Sequence, residues 1–155
     1  MNTITPNLPG QEDLSPLGSR YVDVDSLPWA PGASEGIEWK VLMEDPQRGL
    51  KTALIRWAPG ASLPLHEHID IEQSFVLEGS LCDEEGECAA GEYVWRPAGS
   101  RHRAWSPKGC LLLAVFLKPN KFLEAAPASA EAERRGTEEN SPAGFHARSA
   151  GGSPR

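Results

Sequence analysis

Ile37, Trp39, Val41 and Met43 alternate with mostly polar neighbours, the period of a strand that rests one face on a core. Leu111 to Leu117 is instead continuously apolar, which predicts a strand buried on both faces. Glycine and proline punctuate the chain between such runs, at Pro28, Asp45-Pro46 with Gly49, Pro59-Gly60, Gly79, Gly86, Gly91, Pro97 with Gly99, and Pro107 with Gly109. The intervening segments, 37–44, 51–57, 61–68, 71–82, 87–96, 102–106 and 110–118, have the length of strands. Many short strands at this spacing predict an all-β sandwich or barrel, and the lack of an internal repeat predicts a single unit.

The ends depart from this pattern. Residues 1–19 are polar with scattered proline and glycine and read as an N-terminal arm. Residues 124–155 are dominated by Ala, Ser, Pro, Gly, Glu and Arg. They bury too little to offset their ordering entropy, so a disordered tail is expected after a short helical stub near Lys121–Ala126. The domain proper is then 20–123.

Composition narrows the class. With 24% charged and 39% hydrophobic residues and a mean hydropathy of -0.41, the chain reads as soluble and globular. A net charge of -7 argues against nucleic acid or an anionic membrane surface as partner, since both call for a basic face. No apolar run approaches the roughly 20 residues of a membrane helix. Met1 to Arg20 lacks the cationic and apolar segments of an export signal, so a cytoplasmic location is expected. The odd set Cys82, Cys88 and Cys110 then reads as free thiols. Cys82 and Cys88 flank a hairpin turn at Asp83–Gly86, where two idle thiols are a commoner outcome than a cross-strand disulfide.

The candidate chemistry sits in the middle of the chain. His66 and His68 are two apart on one expected strand, so their side chains share a face. Glu72 opens the next strand, and His102 follows the tight turn Pro97-Ala98-Gly99, which can return it over that face. Imidazoles and a carboxylate converging inside a barrel make a metal site with open positions. Without an ion, three crowded histidines would carry a desolvation cost. Arg56 and Arg96, with Arg101 and Arg103, are candidates for a cationic pocket mouth, ordinary surface roles being expected for at least two of them. Tyr93 and Trp95, with Trp57, Trp105 and Phe116, are candidates for an aromatic pocket lining, against core packing or an interface for most of them.

The stretch Gly60–Gly79, with His66, His68 and Glu72 in place, resembles the first motif of the cupins. Gly91–Ser106, with Pro97 and His102, is similar to the second, departing only at Ser106, where the family usually has Asn. Tyr21–Trp29, Arg96–His102 and Gly109-Cys110 further resemble the cupin domain of the ChrR type, across residues 20–118. The resemblance implies a single cupin double-stranded β-helix, a jelly-roll barrel, with one divalent metal ion on His66, His68, Glu72 and His102. Fe(II) and Zn(II) lead the expected metals, ahead of Mn(II), Ni(II) and Co(II).

Two functions follow from the resemblance. One is an Fe(II)-type dioxygenase acting on a small oxygen-chelating molecule such as a diketone, hydroxyketone or carboxylate. The other is a non-enzymatic ChrR-like zinc-binding cupin that senses or binds a small ligand. A cupin sugar isomerase is a weaker third, because such enzymes commonly dispense with the metal. The anti-sigma relatives carry an additional helical domain that Met1–Ser19 is too short to supply, so sigma-factor binding is not expected. Sheet edges need cover, and cupins of this size commonly pair. A homodimer is therefore expected, with Tyr21–Trp29 adding to the partner's sheet.

Overall fold

A computed structural model of the protein describes residues 3–125. Among them, ten strands form in chain order: β1 (Ala30–Pro31), β2 (Ile37–Asp45), β3 (Leu50–Trp57), β4 (Ser62–Glu67), β5 (Glu72–Cys82), β6 (Glu87–Ala89), β7 (Tyr93–Arg96), β8 (Arg101–Trp105), β9 (Cys110–Phe116) and β10 (Lys121–Phe122). The one helical element in this range is a 3-10 turn at Gln11–Asp13.

Every pairing is antiparallel, and the strands follow the order β1-β2-β3-β9-β5-β8-β4-β10, with β6 and β7 also on β5. β5 belongs to both halves of the fold. Residues 72–79 pair with β9, and 80–82 pair with β6. The sheet curls at this corner into an all-β jelly-roll barrel. Alternation then decides what lies inside. Ala53, Ile55 and Trp57 of β3, Val76 of β5, Ala104 of β8, and Cys110, Leu112 and Ala114 of β9 form the buried core.

Several expectations change in detail. The run 87–96 is two strands, because Gly91, at φ +87°, turns the chain between them. β6 follows the far half of β5 and β7 its near half, as the switch of β5 between sheets requires. The helical stub near Lys121 is instead β10, whose Lys121 and Phe122 pair with Glu67 and His66 of β4. The tail beyond residue 125 lies outside the described residues. β9 buries Cys110, Leu112 and Ala114 on one face, while Leu111, Leu113 and Val115 on the other are only half-buried.

The segment before β1 lies on its own chain. The Lys40 ammonium, buried on the outer face of β2, donates to the Val24 carbonyl at 2.8 Å and sits 5.1 Å from the Trp29 ring. The Arg56 guanidinium covers the same ring at 4.2 Å. β1 then pairs with the edge of β2, so Tyr21–Trp29 leads into a strand on its own sheet edge. The arm continues this cover, with Ile4 bridged to Glu44 and the Thr5 hydroxyl donating to the Leu42 carbonyl at 2.7 Å.

Candidate metal centre

His66 of β4 stands directly opposite His102 of β8 in the antiparallel register. A bulge between Leu63 and His66 precedes this pair, at Pro64, which has no N–H to offer the ladder. His68 lies just past β4 and is fixed by its backbone. Its N–H donates to the Ser100 carbonyl at 3.0 Å, and its carbonyl accepts from the Gly99 N–H at 2.7 Å. Gly99, at φ +84°, makes the turn that brings the second motif against the first. The turn that the Pro97-Ala98-Gly99 run predicts is thus what joins His68 to His102.

The three imidazoles are buried, with ring centroids 4.5–5.1 Å apart. A ligating atom from each lies within 4.8 Å of the other two. The His66 Nδ1 lies 2.9 Å from the Pro64 carbonyl oxygen. A carbonyl can only accept, so the proton is on Nδ1 and Nε2 keeps its lone pair. The Nε2 atoms of His68 and of His102 are buried without a hydrogen-bond partner. Buried imidazole nitrogens without a partner carry a cost that a divalent cation would remove, so these residues fit a metal ion.

Glu72, the first residue of β5, is buried beside the triad. Its Oε2 lies 3.2 Å from His68 Nδ1 and accepts from the Asn120 side-chain amide at 2.8 Å. Burial opposes its ionisation, but His68 and the Asn120 amide hold its carboxyl below the ordinary range. Ser106, where the second motif departs from its pattern, is fully buried, and its hydroxyl donates to the Ser80 carbonyl at 2.7 Å, tying β8 to β5.

Two residues near the triad escape a reading of motifs. Asp83, expected only as a hairpin turn, has Oδ2 3.3 Å from His102 Nδ1 and 2.6 Å from Arg96 Nη2. Asn120 reaches Glu72 from beyond β9. Neither belongs to a motif, and their positions follow from how the strands close.

The pocket candidates divide. Arg96 is buried against Asp83. Arg56 pairs with Glu38 at 2.6 Å and is about half exposed. Trp95 and Tyr93 project outward from β7, the Tyr93 hydroxyl donating to Gln73 at 2.8 Å. The cavity beside the triad, about 40 Å³, is lined by His66, Glu72, His102 and apolar core residues. A second cavity of about 200 Å³ shares Ile55, Trp57, Leu63, Phe116 and Asn120 with the first and adds Trp39, Ile37 and Phe122. Trp57 and Phe116 are the expected aromatics that line it. Cys82, Cys88 and Cys110 are free, and burial raises all three thiols, Cys110 to about 12.

The histidines predict an acid-sensitive metal-free protein. Burial, with the neighbouring imidazoles and Arg96, lowers His102 from 6.5 to about 4, and burial lowers His66 as well. The unfolded chain therefore binds more protons than the folded one between those limits, and stability rises with pH across the window. That stability is fully present above about 6.5 and is lost as pH falls toward 4. The lowered carboxyls of Glu72 and Asp83 act in the same direction at the acid end. Thermal melts of the metal-free protein should fall steadily from pH 7 to 4.5, and a flat melting temperature would refute this account.

The ChrR cupin-like domain family matches residues 18–120. Solved structures share the fold. A candidate acetylacetone dioxygenase from Methylibium petroleiphilum is 26% identical, with a TM-score of 0.65 over 75% of this chain and 90% of that one. An acetylacetone dioxygenase from Acinetobacter johnsonii is 22% identical, with a TM-score of 0.64 over 77% and 90% of the two chains. The Rhodobacter sphaeroides complex of SigE with the anti-sigma ChrR is 22% identical, with a TM-score of 0.52 over 60% of this chain and 51% of that one. No curated protein matches the sequence. Among the described residues, no helix is long and apolar enough to cross a membrane.

Proposed function

The chain belongs to the ChrR cupin-like domain family, and on that footing we propose that it is an Fe(II)-type dioxygenase acting on a small oxygen-chelating molecule, such as a diketone, hydroxyketone or carboxylate. His66, His68 and His102 hold the ion in this reading, with Glu72 as a fourth or looser ligand. A bound Fe(II) supplies a Lewis acid that orients a chelating substrate and a reductant for dioxygen.

The observation that carries the proposal is the apolar cavity of about 200 Å³ that shares lining residues with the small cavity beside the triad. A closed structural site has no use for such a chamber, whereas a substrate with two oxygen donors and an apolar body does. Trp57, Phe116 and Leu63 line both cavities, so they would hold the apolar part of the molecule while its oxygens face the histidines. Asn120 stands at the boundary, donating to Glu72 and keeping a buried, unpartnered Oδ1. The exposed Phe75, Leu77, Tyr93 and Trp95 of β5 and β7 support the homodimer that belongs to the same reading.

The test is direct. The apoprotein is loaded with Fe(II) without air, given a panel of β-diketones and hydroxyacetophenones, and followed by oxygen uptake. Substrate-dependent uptake is expected. No turnover across the panel, together with tight stoichiometric Zn(II) in protein from native cells, would overturn the proposal in favour of a non-enzymatic zinc-binding module.

A further inference from the structure

We propose that Asp83 is a positioning residue of the metal centre: its carboxylate, locked by a hairpin turn and by Arg96, fixes His102 in the tautomer that presents Nε2 to the ion. This rests on the metal-binding reading of the triad, and it concerns a residue outside both histidine-bearing segments.

Asp83 follows the last residue of β5 and opens the turn to β6. Its backbone N–H donates to the Gly86 carbonyl at 2.9 Å. Oδ1 accepts from the backbone N–H groups of Glu85 at 2.9 Å and Gly86 at 3.1 Å. Both bonds come from the turn itself, so this oxygen is committed. Oδ2 is turned the other way, accepts from Arg96 Nη2 at 2.6 Å and lies 3.3 Å from His102 Nδ1. Arg96, at the end of β7, is buried with its side chain only 9% exposed. A buried guanidinium is tolerated when it is paired, and Asp83 is the carboxylate within reach.

The consequence falls on the imidazole. An ionised carboxylate facing Nδ1 favours the tautomer with the proton there, which leaves the Nε2 lone pair free for a cation. The same logic recurs around the triad, since each Nδ1 has an oxygen acceptor beside it. His66 has the Pro64 carbonyl at 2.9 Å, His68 has Glu72 at 3.2 Å, and His102 has Asp83 at 3.3 Å. Two of these acceptors come from within the first motif. The third is supplied by the β5–β6 turn, held in place by β7.

Asp83→Asn tests this with little change in shape. The amide oxygen keeps the two turn bonds, so the NH₂ group faces Arg96 and His102. His102 Nδ1 must then accept, and its proton moves to Nε2, where it blocks the ion; an aspartate-to-asparagine change beside a catalytic histidine elsewhere acts in this way. Two measurements are made. Competition titration with Co(II) or Zn(II) against a chelator should show affinity about 10–100-fold weaker than in the parent protein. Long-range ¹⁵N–¹H spectra of the metal-free proteins should place the His102 proton on Nδ1 in the parent and on Nε2 in the variant. Glu85→Gln, at an exposed position in the same turn, should change neither.

Parent-like metal affinity in Asp83→Asn would overturn the proposal. So would a metal-free parent protein with the His102 proton on Nε2, a measurement that does not depend on the variant folding. If the parent protein takes up no metal at all, the functional reading fails, while the tautomer comparison still decides the role of Asp83.

Discussion

Replacing His66 or His68 by alanine is expected to empty the metal site. Structural Zn²⁺ sites bind with roughly 10–16 kcal/mol at neutral pH, shared among their ligands. Losing one imidazole of three should cost about 4 kcal/mol, which is roughly a thousandfold in affinity. Dialysed His66→Ala or His68→Ala protein should therefore hold a small fraction of one equivalent of metal. Glu72→Gln should weaken binding less, since the amide keeps an oxygen donor. The fold itself should survive. The His68 Nε2 is buried without a hydrogen-bond partner, so alanine removes an unfavourable polar burial along with the packing. The metal-free melting temperature of His68→Ala should stay near that of the parent, while the rise that saturating metal gives the parent should vanish. That rise is about 4 kcal/mol at a thousand times Kd. Retention of one tightly held equivalent in either variant would refute the triad as the site.

Most of this centre is legible in the sequence because its geometry is local. His66 and His68 share a face by strand period alone, and the Pro97–Gly99 turn states its own shape through residues that prefer such backbone. The strands from β2 to β5 are readable for the same reason. What escapes is set by closure of the barrel. Asn120 has no motif, and it meets Glu72 only because the chain crosses beyond β9. Asp83 reads as a turn residue, which it is; its second oxygen faces His102 because the β5–β6 turn folds over the β8 strand. Lys121–Phe122 carries no strand signal in so short a stretch, and becomes β10 only because the edge of β4 lies open to it. Arg56, Trp95 and Tyr93 lie on the exposed faces of their strands, a placement the sequence pattern alone does not assign. Their neighbours Ile55, Trp57, Val94 and Arg96 take the inward or more buried positions, and register cannot be fixed before partners are known.

The corner at Gly79 should be the position least tolerant of substitution in the barrel. β5 passes there from one half of the fold to the other, with residues before it on β9 and residues after it on β6. Its backbone lies at φ +68°, which glycine adopts freely and alanine only with strain of about 1–2 kcal/mol. A Cβ there would also lie 2.0 Å from the Gly109 carbonyl oxygen and 2.9 Å from its carbon. Those are backbone atoms just before β9, so no side-chain rotation relieves the overlap, and one of two paired strands must move. Gly79→Ala should therefore cost more than about 4 kcal/mol, a large share of the 5–15 kcal/mol that typically holds a domain folded. The melting temperature should drop by roughly 20 °C, or the variant should fail to fold. Gly91→Ala separates strain from overlap, because Gly91 lies at φ +87° with nothing within 4 Å of its Cβ position. It should lose only a few degrees. Urea or thermal denaturation that places the two variants within a few degrees of each other would refute the argument. A displaced corner should also disturb the metal centre from both sides, because the first half of β5 carries Glu72 and its second half leads into Asp83.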